Sequence, residues 1–146
     1  MSLSISVASN GVRAPLGRER IADIARTVLR AERVPSALVS VTLLAPRDMA
    51  RLNKTHLGHA GPTDVISFGF TRATPRDPVV GDVYLCPAVG RLNAQARGVP
   101  IREELSRLVV HGVLHVLGHD HPNGGDREQS AMWLRQEHLL ERIAGR

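Results

Sequence analysis

The chain has 146 residues, 42% of them apolar and 23% charged, which is the composition of one soluble globular domain able to bury a full core. No apolar run approaches the ~20 residues that span a bilayer. Met1 to Asn10 lacks the basic start and apolar centre of a signal peptide. The lone cysteine, Cys86, excludes an internal disulfide. Together these lead to the expectation of a cytoplasmic protein with no membrane partner. The formal charge is +5 and the pI about 10.9, and among nineteen basic residues only Lys54 is lysine. Arg forks suit phosphate, which favours a polyanionic partner. A GC-rich genome would produce the same bias, however, and the basic residues are scattered along the chain. Aromatic residues make up only 3%, which argues against a platform for stacking single-stranded bases.

In chain order, Leu3 to Ala8 alternates aliphatic residues with Ser and reads as a short strand. Arg18 to Arg33 carries Ile21, Ile24, Ala25, Val28 and Leu29 at helical spacing, and Pro35 closes it. Ala37 to Leu44 reads as a buried strand and Pro46 to Lys54 as a short helix with Pro near its start. Leu57 to Thr63 is a Gly- and Pro-containing loop. Val65 to Phe70 and Val79 to Cys86 are further strands, separated by a polar stretch broken by Pro75 and Pro78. Val89 to Arg97 is a helix closed by Gly98. A second helix follows Pro100 to about Leu117, with Glu103 and Glu104 well placed for its dipole. Asp126, with Gln129 three residues on, opens a last helix in a capping-box arrangement. The mixture predicts an α/β or α+β class over residues 1–146, with one small mixed sheet of about four strands packed with helices.

Residues 111–121, HGVLHVLGHDH, carry the chemistry. His111 and His115 stand four apart on the predicted helix, so their rings share a face and can reach one ion. They fall along one edge of an apolar stripe of Ile101, Leu105, Leu108, Val109, Gly112 and Val116. Gly118 can take φ > 0, stop the helix and fold the chain back, returning His121 toward the same ion. The spacing His-x3-His-x2-Gly-x2-His matches the long zinc motif of a zincin-like metal helix. Three His ligands leave one tetrahedral position open, the pattern of a catalytic zinc site. The expectation is one Zn²⁺ per chain on His111, His115 and His121. Three imidazoles also suit Ni²⁺ or Co²⁺. In metallopeptidases the residue after the first His is the Glu general base. Here it is Gly112, which disfavours peptide hydrolysis and favours phosphoester chemistry.

Other groups read two ways. Asp64 is a turn residue bonding local backbone or a partner to a ligand imidazole. Asp82 lines a cleft or merely opens a strand. Asp120 can orient a neighbouring His. Glu104 lies roughly 10 Å along the helix from His111, too far to ligate. Cys86 is a small buried hydrophobe or a fourth ligand. His119 faces elsewhere if the chain turns at Gly118, and His56, His59 and His138 read as surface residues.

The segment resembles the YbeY family of bacterial metal-dependent endoribonucleases. The resemblance extends to LNKTHLGHAGPTDVISFGF, residues 52–70, where the family has a Leu-Asn start and a Pro-Thr-Asp-Val-Leu-Ser-Phe core, and to GDV, residues 81–83. It implies a zinc-dependent, single-strand-specific endoribonuclease of 16S ribosomal RNA 3′-end maturation and ribosome quality control, with His111, His115 and His121 on the zinc. The implied partners are ribosomal RNA and the ribosome, and no dinucleotide cofactor is expected. Two positions depart from the family. Leu57 stands where it usually has an Arg thought to serve catalysis, with His56 or His59 as substitute cations, and His119 stands where it commonly has Tyr. Two rival functions follow: a ribosome-associated zinc protein with little nuclease activity, and a metallopeptidase.

Overall fold

A computed structural model of the chain describes residues 2–120 and 130–144. Its elements are β1 (Leu3–Ser9), α1 (Arg18–Ala31), β2 (Ala37–Leu43), α2 (Pro46–Leu57), β3 (Val65–Phe70), β4 (Val79–Leu85), α3 (Pro87–Arg97), α4 (Ile101–Val116) and α5 (Ala131–Ala144). The four strands form one mixed sheet in the order β1-β2-β4-β3. β1 and β4 run parallel to β2, with Leu3 opposite Ala37 and Ala37 opposite Val79. β3 is the antiparallel edge strand, with Val65 opposite Leu85. Parallel neighbours require a crossover, and α1 supplies the one between β1 and β2. The α/β class and the small mixed sheet of the sequence reading are therefore the observed architecture. Among the described residues, no helix is long and apolar enough to cross a membrane.

Helix ends differ from the sequence reading where backbone geometry decides them. α1 stops at Ala31, because Glu32 caps it and Arg33 takes φ 59, ahead of Pro35. α2 runs on to Leu57, one turn past Lys54, and ends where Gly58 takes φ 70. α3 begins at Pro87, whose missing N–H costs nothing in a first turn. The capping box at Asp126 and Gln129 lies outside the described residues.

α4 is the central element. It packs against α1, α3, α5, β3 and β4, and every residue from Glu104 to Leu114 is buried. The apolar stripe expected from the sequence is thus too narrow a description, because the helix is enclosed on nearly all sides. Val109, Val110, Val113 and Leu114 are fully buried, each stabilising the fold by about 1.5–3 kcal/mol. The helix lies close to the sheet where glycines leave room. A Cβ on Gly112 would sit 2.6 Å from Val83 Cγ1, and one on Gly81 would strike the Val116 side chain. The opposite face of the sheet is partly covered by α2, over a second cluster of Leu44, Met49, Ile66 and Cys86.

Candidate functional site

The end of α4 presents His111 and His115 beside the edge strand β3. Their ring centroids are 4.6 Å apart, with planes at 76°. His111 is buried and His115 half-buried. Both line a cleft of about 250 Å³, together with Leu57, Thr63, Asp64, Val65, Ile66 and Ser67. The walls of the cleft are set by local hydrogen bonds. Ser67 Oγ donates to the Gly112 carbonyl at 3.0 Å, tying β3 to α4. The buried Asn53 amide donates to the Gly61 carbonyl at 2.9 Å and shapes the loop that leads into Thr63 and Asp64. Gly118, at φ 97, ends α4: its N–H bonds the His115 carbonyl and the N–H of His119 the Leu114 carbonyl. His121, the third expected ligand, lies outside the described residues. Among the described residues, no cluster of three His, Cys, Asp or Glu groups could hold a metal ion.

Behind His111 is a polar cluster. His111 Nδ1 lies 2.6 Å from Oε1 of Gln136 on α5. Gln136 Nε2 donates to Glu137 Oε2 at 3.0 Å. Arg107 grips Glu137 with both Nε and Nη2, at 2.9 and 3.1 Å. It also donates to Glu104 at 2.7 Å and to Glu103 at 3.0 Å. Arg97 bonds Glu104 at 3.2 Å and stands 5.2 Å from the centroid of the Trp133 ring. Burial pulls the Arg107 pKa down, but the hydrogen bonds it donates to Glu137 and Glu104 outweigh it and the net shift is upward. Burial pushes the Glu137 carboxyl up, but hydrogen bonds from Arg107 and Gln136 hold it below its ordinary value.

The remaining candidates from the sequence go elsewhere. Asp64 accepts from the Val65 N–H at 2.7 Å and from Asn93 Nδ2 at 2.9 Å. It takes the local role, and the described partner of His111 Nδ1 is Gln136. Asp82 accepts from Ser40 Oγ at 2.6 Å on the sheet face away from α4, so it does not line the cleft. Cys86 is fully buried in the cluster under α2, the small buried hydrophobe of the two readings. His119 Nε2 lies 2.9 Å from Glu32 at the end of α1. His56 rests edge-on against Phe68, with centroids 5.3 Å apart. His59 is exposed, and neither His56 nor His59 lines the cleft. Glu104 is buried in the ion cluster and is no ligand.

The sequence reading missed Gln136, Glu137, Arg107 and Asn93. Glu103, Glu104 and Arg107 stand at helical spacing and could have been read as a charged cluster. The pairing across to α5 leaves no such signal.

A four-stranded mixed sheet packed against a buried helix is a fold shared with a solved structure. The solution structure of TM1509 from Thermotoga maritima superposes with a TM-score of 0.64 at 24% identity, covering 97% of this chain and 89% of that one. Among curated proteins, the endoribonuclease YbeY of Thermobifida fusca is 37% identical, over 94% of this chain and 92% of its own length. That of Frankia casuarinae is 38% identical, over 94% and 73%. That of Acidothermus cellulolyticus is 40% identical, over 87% of each. These relatives define the class as a hydrolase acting on RNA as a nuclease. Residues 8–144 match the family model described as Endoribonuclease YbeY, and the chain belongs to that family.

Proposed function

We propose that this chain is a zinc-dependent endoribonuclease that cuts single-stranded RNA, acting in the cytoplasm on the 3′ end of 16S ribosomal RNA and in ribosome quality control. The observation that carries the reading is the His111–His115 pair, one helical turn apart with ring centroids at 4.6 Å, opening on a cleft at a sheet edge. Two neutral imidazoles at that separation fit the donor set of a Zn²⁺ ion. The spacing of the motif supplies His121 as the third ligand. A bound Zn²⁺ would supply Lewis acidity toward a phosphoryl oxygen and lower the pKa of a water to ~7.

The chain's own residues define the rest. His111 and His115 would hold the ion, and Thr63, Val65 and Ser67 line the cleft wall against which an RNA strand would lie. The excess of Arg attracts the phosphate backbone over long range. Gly112 offers no carboxylate, so the peptidase reading lacks its general base.

A second reading, a ribosome-associated zinc protein with weak nuclease activity, is favoured by one feature. Leu57 lines the cleft where the family's Arg is expected, and no Arg or Lys is among the lining residues described.

The test is elemental analysis of untagged protein, paired with cleavage of matched single-stranded and duplex RNAs spanning the 16S 3′ end. One zinc per chain, with single-strand cleavage abolished by a chelator and by His115→Ala, is the expected result. Zinc-loaded protein that leaves RNA intact would instead support the second reading. Metal-free protein that still cuts RNA would overturn the zinc mechanism.

A further inference from the structure

We propose that Gln136 is a positioning residue that fixes the tautomer of His111, and that Arg107, acting through Glu137, fixes the orientation of Gln136. A neutral imidazole carries one N–H, on Nδ1 or on Nε2, and its neighbours choose which. His111 Nδ1 lies 2.6 Å from the amide oxygen of Gln136. An amide oxygen can only accept. The proton therefore sits on Nδ1, and Nε2 keeps its lone pair, the only ring atom left to ligate.

A glutamine alone does not settle this, because turning its amide over would present NH₂ and demand the opposite tautomer. The turn is blocked by its neighbour. Gln136 Nε2 donates to Glu137 Oε2 at 3.0 Å. Turned over, the amide oxygen would face a carboxylate, acceptor against acceptor. Glu137 in turn cannot swing away, since Arg107 holds both of its oxygens, at 2.9 and 3.1 Å. Arg107 is itself held by Glu104 and Glu103. Gln136 is 1% exposed and His111 6%, and both line a cavity of about 260 Å³ together with Arg107 and Glu104. A chain of hydrogen bonds thus runs from a guanidinium, which has one protonation state, to an imidazole, which has two tautomers.

The chemistry also explains the residue type. A carboxylate at position 136 would accept from Nδ1 equally well, as in many metal sites. Here it would lie beside Glu137 and repel it. The amide accepts on one side and donates on the other without adding charge.

The inference uses the proposed metal site only for its purpose, because the tautomer is a property of the metal-free protein. The experiment is long-range ¹H–¹⁵N correlation on the histidine rings of the metal-free, ¹⁵N-labelled full chain, at a pH where His111 is neutral. The wild type is expected to show a protonated Nδ1 and an unprotonated Nε2. Gln136→Leu and Glu137→Gln are each expected to bring in the Nε2–H tautomer, while Gln136→Glu keeps Nδ1–H. A chelator competition with Zn²⁺ is expected to show ~10–100-fold weaker binding for Gln136→Leu, the usual cost of losing such a partner. An Nε2–H signal in the wild type overturns the proposal without reference to any variant. Gln136→Leu and Glu137→Gln that fold, by their amide spectra, and keep pure Nδ1–H also overturn it. A chain that takes up no zinc yet shows the expected tautomers supports the Gln136 assignment and overturns the zinc reading instead.

Discussion

Gly112 stands against Val83: a Cβ on the helix residue would come within 2.6 Å of the strand residue's Cγ1, with Ser67 Oγ and Val65 Cγ2 at 3.1 and 3.2 Å beyond it. The residue after the first histidine of the motif is therefore one of the points where α4 touches the sheet, Val116 against Gly81 being another. A glutamate in place of Gly112 would be driven into β3 and β4, so the absence of the peptidase base has a packing cause. Gly112→Ala is expected to destabilise the protein. The methyl adds helix propensity worth up to ~1 kcal/mol, but overpacking a tight contact costs about 1–3 kcal/mol. Urea unfolding of the two proteins measures the balance, and a more stable alanine variant would show that the sheet yields easily at Val83.

Leu57 tests which of the two functional readings holds. It is 48% exposed and lines the cleft with His111 and His115, so a longer polar side chain fits without disturbing the core. Leu57→Arg would place a guanidinium beside the path of the RNA phosphates. Preorganised charge of this kind is worth 10²–10³-fold where evolution has tuned it, and an untuned addition is expected to raise single-strand cleavage by about 10-fold. Initial rates on one RNA decide it. No gain would mean that the cleft works without a cation at that position.

Strand order aside, much of the fold was legible because its cues are local. Alternation in Leu3–Ala8, the helical spacing of Ile21 to Leu29, and Pro46 or Pro100 at the start of a helix each act within a few residues. The histidine pair was legible for the same reason, since i and i+4 on one helix must share a face. What surrounds it was not. Gln136 reaches His111 across twenty-five positions and two helices, and nothing in the local sequence distinguishes that glutamine from an exposed one. The full burial of α4 was hidden too, because Glu104, Ser106 and Arg107 interrupt its apolar pattern. They are buried by satisfying one another and their neighbours rather than by being apolar. The low aromatic content also concealed a grouping: Phe68 lies edge-on to both His56 and Tyr84 on one side of the sheet.

Arg107 holds the charged cluster together, with its side chain 8% exposed and that of Glu104 1% exposed. Removing one partner of such a buried pair leaves a charge without its main counter-ion, at a cost of about 3–5 kcal/mol. Arg107→Met is expected to fall in that range by urea unfolding. Adding Glu104→Leu removes the carboxylate, then left with Arg97 as its only described cation, and is expected to recover part of the loss, an interaction that a double-mutant cycle reads directly. Strict additivity of the two substitutions would mean that the pair is not coupled.

Glu137 makes stability depend on acid. Its folded pKa is lowered from the ordinary 4.5: burial alone would raise it, and the hydrogen bonds from Arg107 and Gln136 more than reverse that. Between the lowered value and the ordinary one, the unfolded chain binds more protons than the folded chain. Stability therefore rises with pH across that window. The contribution is complete above the ordinary value and is lost as pH falls through the folded one. Glu137→Gln removes this titration while keeping an acceptor for Arg107. The variant is expected to be less stable than the wild type at neutral pH, with the gap narrowing as pH falls from above the ordinary carboxylate value to below the lowered one. Unfolding free energies at a series of pH values measure the gap. A constant difference would show that the Glu137 carboxylate is no more acidic in the folded protein than in the unfolded chain, and that its grip on Arg107 is not what holds α5 against α4.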